Sequence, residues 1–227
     1  MTNSKYDLKK VIKPWGSEYV IFRDSNKISI TYLNIKKNKK TSFHCHPNKK
    51  TGFILLSGSA IIRLGLEKND EIKLKSSSKL MIRPGLFHSI KSTSKNLNLL
   101  EFETPADKRN LVRLYDNYGR SNKPYESSKK NFKDLNNEDI VFKKPKKKFV
   151  NYYRICRKKI SLEYHSNFKI LKKRLSNEIY AVLSGHVRDN FGNKVLTIGD
   201  IVKNGTLKKL SKAFKINKDI LLLRLIS

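Results

Sequence analysis

Ser42-Phe43-His44-Cys45-His46-Pro47-Asn48-Lys49-Lys50-Thr51, joined much later by Arg83-Pro84-Gly85-Leu86-Phe87-His88, is the part of the chain whose reading decides the fold. Neutral imidazole is the commonest protein ligand for transition metals. His44 and His46 stand two residues apart, and on a β-strand such residues point to one face. His88 comes from a distant segment, delivered by a Pro-Gly turn. Two independently spaced segments thus converge on one ligand set, and a divalent transition metal is expected on His44, His46 and His88. Zn, Fe, Ni and Mn all suit imidazole, which does not choose among them. The plainer alternative makes the three rings ordinary core or surface histidines.

Outward from these segments, short apolar runs dominate: 19–22, 28–33, 52–56, 60–64, 80–82 and 97–102. Clusters of Gly, Pro, Asn, Ser and Lys separate them. Many short strands at this spacing predict an all-β sandwich or barrel. Residues 131–139 read as one short helix within a polar, lysine-rich stretch.

The last third repeats part of the pattern. Phe53-Ile54-Leu55-Leu56-Ser57-Gly58 matches Tyr180-Ala181-Val182-Leu183-Ser184-Gly185, and 80–85 matches 200–205. The strand 97–102 is echoed at 219–225, and the offset of about 120 to 127 residues predicts a duplicated domain. On that register Leu171 and Lys173 replace His44 and His46, Lys208 replaces His88, and Glu178 alone matches a ligand position. A metal-binding domain at 1–125, a linker at 126–148 and a metal-free domain at 149–227 are expected. The second domain is expected to pack on the first, wall a pocket or make a homodimer contact.

Fifty Lys and Arg against 19 Asp and Glu give a formal charge of +31. Such charge attracts nucleic acid or acidic membranes. The lysines are spread along the chain, however, and only Lys143-Lys144-Pro145-Lys146-Lys147-Lys148 is a compact run. Lys, Asn, Ile, Phe and Tyr are all frequent and share AT-rich codons, so base composition accounts for the excess. Nucleic acid is therefore not an expected partner, whereas an anionic small-molecule substrate is. No apolar run reaches membrane-span length and residues 1–7 lack a signal peptide's apolar core. A cytoplasmic location without a membrane partner is expected. Cys45 and Cys156 form no framework, and Cys45 reads as a small buried thiol.

Ser42-Phe43-His44-Cys45-His46, Gly58 and Pro84-Gly85-Leu86-Phe87-His88 resemble the two motifs of the cupin superfamily. Lys13-Pro14-Trp15-Gly16-Ser17-Glu18-Tyr19, and 111–120 with Arg113 and Arg120, resemble the cupin domain of type II mannose-6-phosphate isomerases. They are closer still to stand-alone isomerase-like cupins of surface-polysaccharide clusters. The resemblance covers roughly 10–125. It implies a bicupin, with two double-stranded β-barrel (jelly-roll) domains of which the second is degenerate. It also implies a sugar-phosphate or nucleotide-sugar isomerase or epimerase of surface-glycan biosynthesis. The family's first motif carries a glutamate ligand seven residues before its glycine, where this chain has Thr51. A three-histidine site completed by water or substrate is implied. Such a site also suits an Fe(II) dioxygenase, and a non-catalytic carbohydrate-binding or regulatory cupin is a third reading.

Isomerisation of a sugar phosphate needs a base and a cation for the phosphate. Glu101 and Glu103 share one face of the strand Leu99-Leu100-Glu101-Phe102-Glu103. Either that face lines the interior, or Leu100 and Phe102 do and both glutamates are solvated. Lys49, Lys50, Thr51 and Arg83 are candidates for substrate contacts, as are Arg113 and Arg120. In so lysine-rich a chain, a lysine is by default an ordinary surface charge.

Overall fold

β-Branched and aromatic runs punctuated by turn residues fold into strands almost throughout, in a computed structural model that describes residues 8–67, 70–120 and 131–226. The chain is mostly β and divides into two compact units, 1–141 and 142–227.

The first unit contains β1 (Lys9–Lys13), β2 (Gly16–Asp24), β3 (Ile28–Lys36), β4 (Phe43–Cys45), β5 (Lys50–Ser57) and β6 (Ser59–Leu64). These are followed by β7 (Glu71–Lys75), β8 (Lys79–Ile82), β9 (His88–Ser92), β10 (Asn96–Thr104), β11 (Val112–Tyr115) and β12 (Phe132–Asp134). One antiparallel sheet runs β12-β1-β2-β3-β10-β5-β8, and a second runs β11-β4-β9-β6-β7. Leu33, Ile35, Phe53, Leu55, Leu97 and Leu99 from the first sheet pack in one core with Ala60, Ile62 and Ile90 from the second. Each such buried Leu, Ile or Phe side chain contributes about 1.5–3 kcal/mol.

Two expectations need correction. The strands do not close into barrels; the two sheets meet through side chains and keep free edges at β12, β8, β11 and β7. Residues 131–139 are not a helix. Phe132 is drawn into an apolar cluster with Val11 and Val20, which extends the sheet as β12. Asn136 then accepts hydrogen bonds from the Glu138 and Asp139 amides, forming a turn that a helix interior cannot accommodate. The expected linker lies partly outside the described residues, at 126–130, and 131–141 belong to the first unit.

The second unit contains β13 (Val150–Ile155), β14 (Lys158–His165), α1 (Lys169–Lys173), β15 (Ile179–Ser184), β16 (Val187–Arg188) and β17 (Lys194–Leu196). It continues with β18 (Ile201–Lys203), α2 (Asn204–Leu210), β19 (Lys215–Ile216) and β20 (Ile220–Ile226). Its sheets run β13-β14-β20-β15-β18 and β17-β16-β19. Position by position this is the order β2-β3-β10-β5-β8 and β7-β6-β9 of the first unit. Leu171 and Lys173 lie on α1 and Lys208 on α2, where the first unit has β4 and the turn before His88. Glu178 is buried and paired with Arg224 at 2.5 Å.

Gly58 and Gly185 hold equivalent turns with φ of +83° and +77°. A Cβ on Gly58 would meet the Asn96 carbonyl oxygen at 2.5 Å, and one on Gly185 the Asp219 carbonyl oxygen at 2.3 Å. We predict that Gly58→Ala destabilises the first unit by about 2–4 kcal/mol. Gly119→Ala, where a Cβ meets open space, costs about 1 kcal/mol. Trp15, the one tryptophan, lies in the first unit's core, so its fluorescence during urea denaturation reads both values.

Candidate metal centre

His44 lies on β4 and His88 opens β9; the two are direct cross-strand partners. His46 follows one residue past β4, and its carbonyl accepts the Gly85 amide at 2.9 Å. That bond holds the Pro84-Gly85 turn beside the strand. The three rings are buried, with centroids 4.6 to 5.6 Å apart. One nitrogen from each lies within 4.8 Å of the others.

Each Nδ1 is anchored on a backbone carbonyl: His44 on Ser42 at 2.8 Å, His46 on Asn110 at 2.6 Å, and His88 on Leu86 at 3.0 Å. A carbonyl only accepts, so each Nδ1 carries the proton and each Nε2 presents a lone pair. The Nε2 atoms of His46 and His88 are buried without any hydrogen-bond partner. Burial, and for His46 the nearby Lys49 cation, lower the ring pKa values to about 3 for His46 and about 4 for His88. Burial and the two neighbouring rings push His44 well below its ordinary value. Neutral rings with free Nε2 lone pairs are the form that binds a metal, and the Nδ1 bonds are the outer contacts that orient such ligands. The donor set fits a divalent transition metal, with positions left for water or substrate.

The rings open on a cavity of about 50 Å³, also lined by Trp15, Lys49, Glu101, Glu103, Lys108 and Arg113. That is room for a few waters around an ion. Glu101 and Glu103 both face it, because their shared strand face is the interior one. Leu100 and Phe102, on the opposite face of β10, are fully buried as well.

Glu103 is held by Lys49 at 2.5 Å and Lys108 at 2.8 Å, with the Ser29 hydroxyl donating at 3.3 Å. Burial pushes its carboxyl up, but the Lys108 and Lys49 ammoniums overcome this and hold it well below the usual range. Glu101 has no such clamp. It keeps some solvent contact in the cavity, and burial with the adjacent Glu103 charge pushes it up to about 8.

Arg113 and Arg120 also line the cavity. Arg120 grips Asp116 through Nε at 3.1 Å and Nη2 at 2.8 Å, and so ties down its own loop. Thr51 is buried directly across β5 and β10 from Glu103, but does not line the cavity, and its Oγ1 has no partner. Lys50 and Arg83 also stay outside it; Arg83 is exposed and donates to its neighbour's carbonyl, that of Pro84, at 3.2 Å. Lys108 was invisible to sequence reasoning. Its only signal is a lysine five residues past a buried glutamate, which this composition swamps.

The stacked sheets, the interior histidines and the Pro-Gly turn define a cupin-type domain. Residues 2–114 match the family model for the mannose-6-phosphate isomerase C-terminal domain, and the first unit belongs to that family. No curated protein matches the chain. Among solved structures, the cupin domain of Cnp3 from Schizosaccharomyces pombe is 12% identical with TM-score 0.37. The match covers 39% of this chain and 64% of that one. A Klebsiella pneumoniae protein with a double-stranded β-helix domain is 14% identical with TM-score 0.40, covering 51% and 86%. Bacillus halodurans BH2720 is 13% identical with TM-score 0.37, covering 45% and 74%. These are partial likenesses of fold.

We predict that wild-type protein binds one zinc ion and that His44→Ala with His88→Ala binds none while keeping its β-sheet circular dichroism. Elemental analysis after dialysis reads this. A second prediction concerns pH in the metal-free protein. Above about pH 7.5 the rings of His44, His46 and His88 are almost wholly neutral in the unfolded chain as well as in the fold. Glu101 has lost its proton in the unfolded chain but keeps it in the fold up to about 8. The folded state then binds more protons, so stability falls as pH rises. Glu101→Gln removes that slope in urea titrations. Below pH 6.5 the histidines act oppositely, and stability falls as the unfolded rings take protons that the buried rings refuse until about pH 3 to 4.

Proposed function

We propose that the chain is a metal-dependent sugar isomerase or epimerase, acting on a sugar phosphate or nucleotide sugar of surface-glycan synthesis in the cytoplasm. The observation that carries this reading is the convergence of three Nε2 lone pairs on a cavity that also holds Glu101 and Arg113. Membership of the first unit in the mannose-6-phosphate isomerase C-terminal family supports it. His44, His46 and His88 hold the metal, which when bound supplies Lewis acidity toward a substrate oxygen.

The chain's own residues account for the rest. Glu101 sits near the pKa at which a carboxyl both takes and returns a proton, as transfer between adjacent sugar carbons requires. Glu103, paired with Lys49 and Lys108, stays ionised, and burial together with its charge keeps Glu101's proton in place. The Arg113 guanidinium offers the fork geometry that suits phosphate. We read the second unit as a degenerate cupin-like domain, on its shared strand order and its lack of the three histidines.

The test incubates metal-loaded protein with mannose 6-phosphate or fructose 6-phosphate in deuterated water. Aldose–ketose interconversion with deuterium at C2 is expected. Glu101→Gln should lower the rate by about 100-fold or more while retaining its metal. A metal-loaded wild type that exchanges no deuterium into sugar phosphates or nucleotide sugars, and instead consumes oxygen, would overturn the proposal.

A further inference from the structure

On the second sheet, side chains alternate between the histidine interior and an outer face. Phe43 and Ser89, each next to a metal-site histidine, point outward with Ile61, Arg63 and Lys91. A groove of about 620 Å³ lies over them, within the usual size range of small-molecule sites. One end is cationic. Lys40 and Lys91 are paired directly across a β-bridge, and like charges so placed repel. Arg63 joins them, and its Nε is buried with no hydrogen-bond partner. Opposing carboxylates are few. Asp116 is already gripped by Arg120, which leaves Glu71, directly across from Arg63.

Against Arg63 lies a flat aromatic ladder. The Arg63 guanidinium lies 4.5 Å above the Phe43 ring, and Tyr115 stacks on Phe43 at 6.2 Å with an interplanar angle of 14°. Phe43 is buried, whereas Tyr115 is 61% exposed and presents a ring to the groove. A ligand that carries both a flat ring and phosphate matches this arrangement. A sugar phosphate alone would leave the ladder unused.

We propose that this outer groove binds a nucleoside phosphate, with its base on Tyr115 and its phosphates among Lys40, Arg63 and Lys91. The site is separate from the histidine cavity and does not rest on the isomerase reading. Calorimetric titration of the full chain with ADP, adenosine and inorganic phosphate tests it. ADP is expected to bind below millimolar concentration, and adenosine and phosphate at least ~10-fold more weakly. Tyr115→Ala and Lys91→Glu, both at exposed positions, should each weaken ADP at least ~10-fold. His44→Ala with His88→Ala should leave ADP affinity unchanged, which separates this site from the metal centre. No ADP binding at millimolar concentration, phosphate binding as tightly as ADP, or affinity indifferent to Tyr115→Ala would each overturn the proposal.

Discussion

Everything at the centre of the first unit depends on three hydrogen bonds, from the Nδ1 atoms of His44, His46 and His88 to the carbonyls of Ser42, Asn110 and Leu86. Burying an imidazole without a partner costs several kcal/mol on transfer scales. These bonds offset part of that cost and fix the tautomer, so that every Nε2 faces inward. The bonds of His44 and His88 are local, each two residues back, whereas that of His46 ties the loop after β10 to the end of β4. Loosening any of them would turn a ring and misplace its lone pair.

The carboxylates obey the same logic of buried charge. Thr51 and Glu103 are cross-strand neighbours, so a glutamate at 51 would set two carboxylates side by side on adjacent strands. Here Glu103 is the one carboxylate of that cross-strand pair, and Lys49 and Lys108 balance it. A buried charge persists only when paired in this way. The clamp leaves three neutral imidazoles around the metal position and Glu101 with its carboxyl pushed up to about 8, so the departure at Thr51 comes with a rebuilt charge environment.

The histidines were legible because their spacing carries geometry: i and i+2 on a strand, and a Pro-Gly turn before the third. The strand order that the two units share was legible in part because Gly58 and Gly185 stand at corresponding turns that exclude a Cβ. The orientation of Glu101 and Glu103 was not legible, because β10 is buried on both faces, with Leu99 and Glu103 on one and Leu100 and Phe102 on the other, and alternation does not say which face holds the site. Lys108 was hidden by composition, and so was the pairing of Lys49 with Glu103, since buried and exposed lysines look alike in a chain with 50 basic residues. The strand at 132–134 was misread because a single aromatic, Phe132, provides its anchor amid polar residues. Barrel closure was expected from the family resemblance, whereas the hydrogen-bonded strand order ends at free edges.

X-ray absorption spectroscopy of the zinc-loaded full chain tests the central claim most directly. Three neutral imidazoles presenting Nε2 predict a first shell with three histidine nitrogens at about 2.0–2.1 Å, with imidazole multiple scattering, completed by light oxygen ligands. A first shell with one imidazole or none, or one dominated by carboxylate oxygen or sulfur, would contradict it.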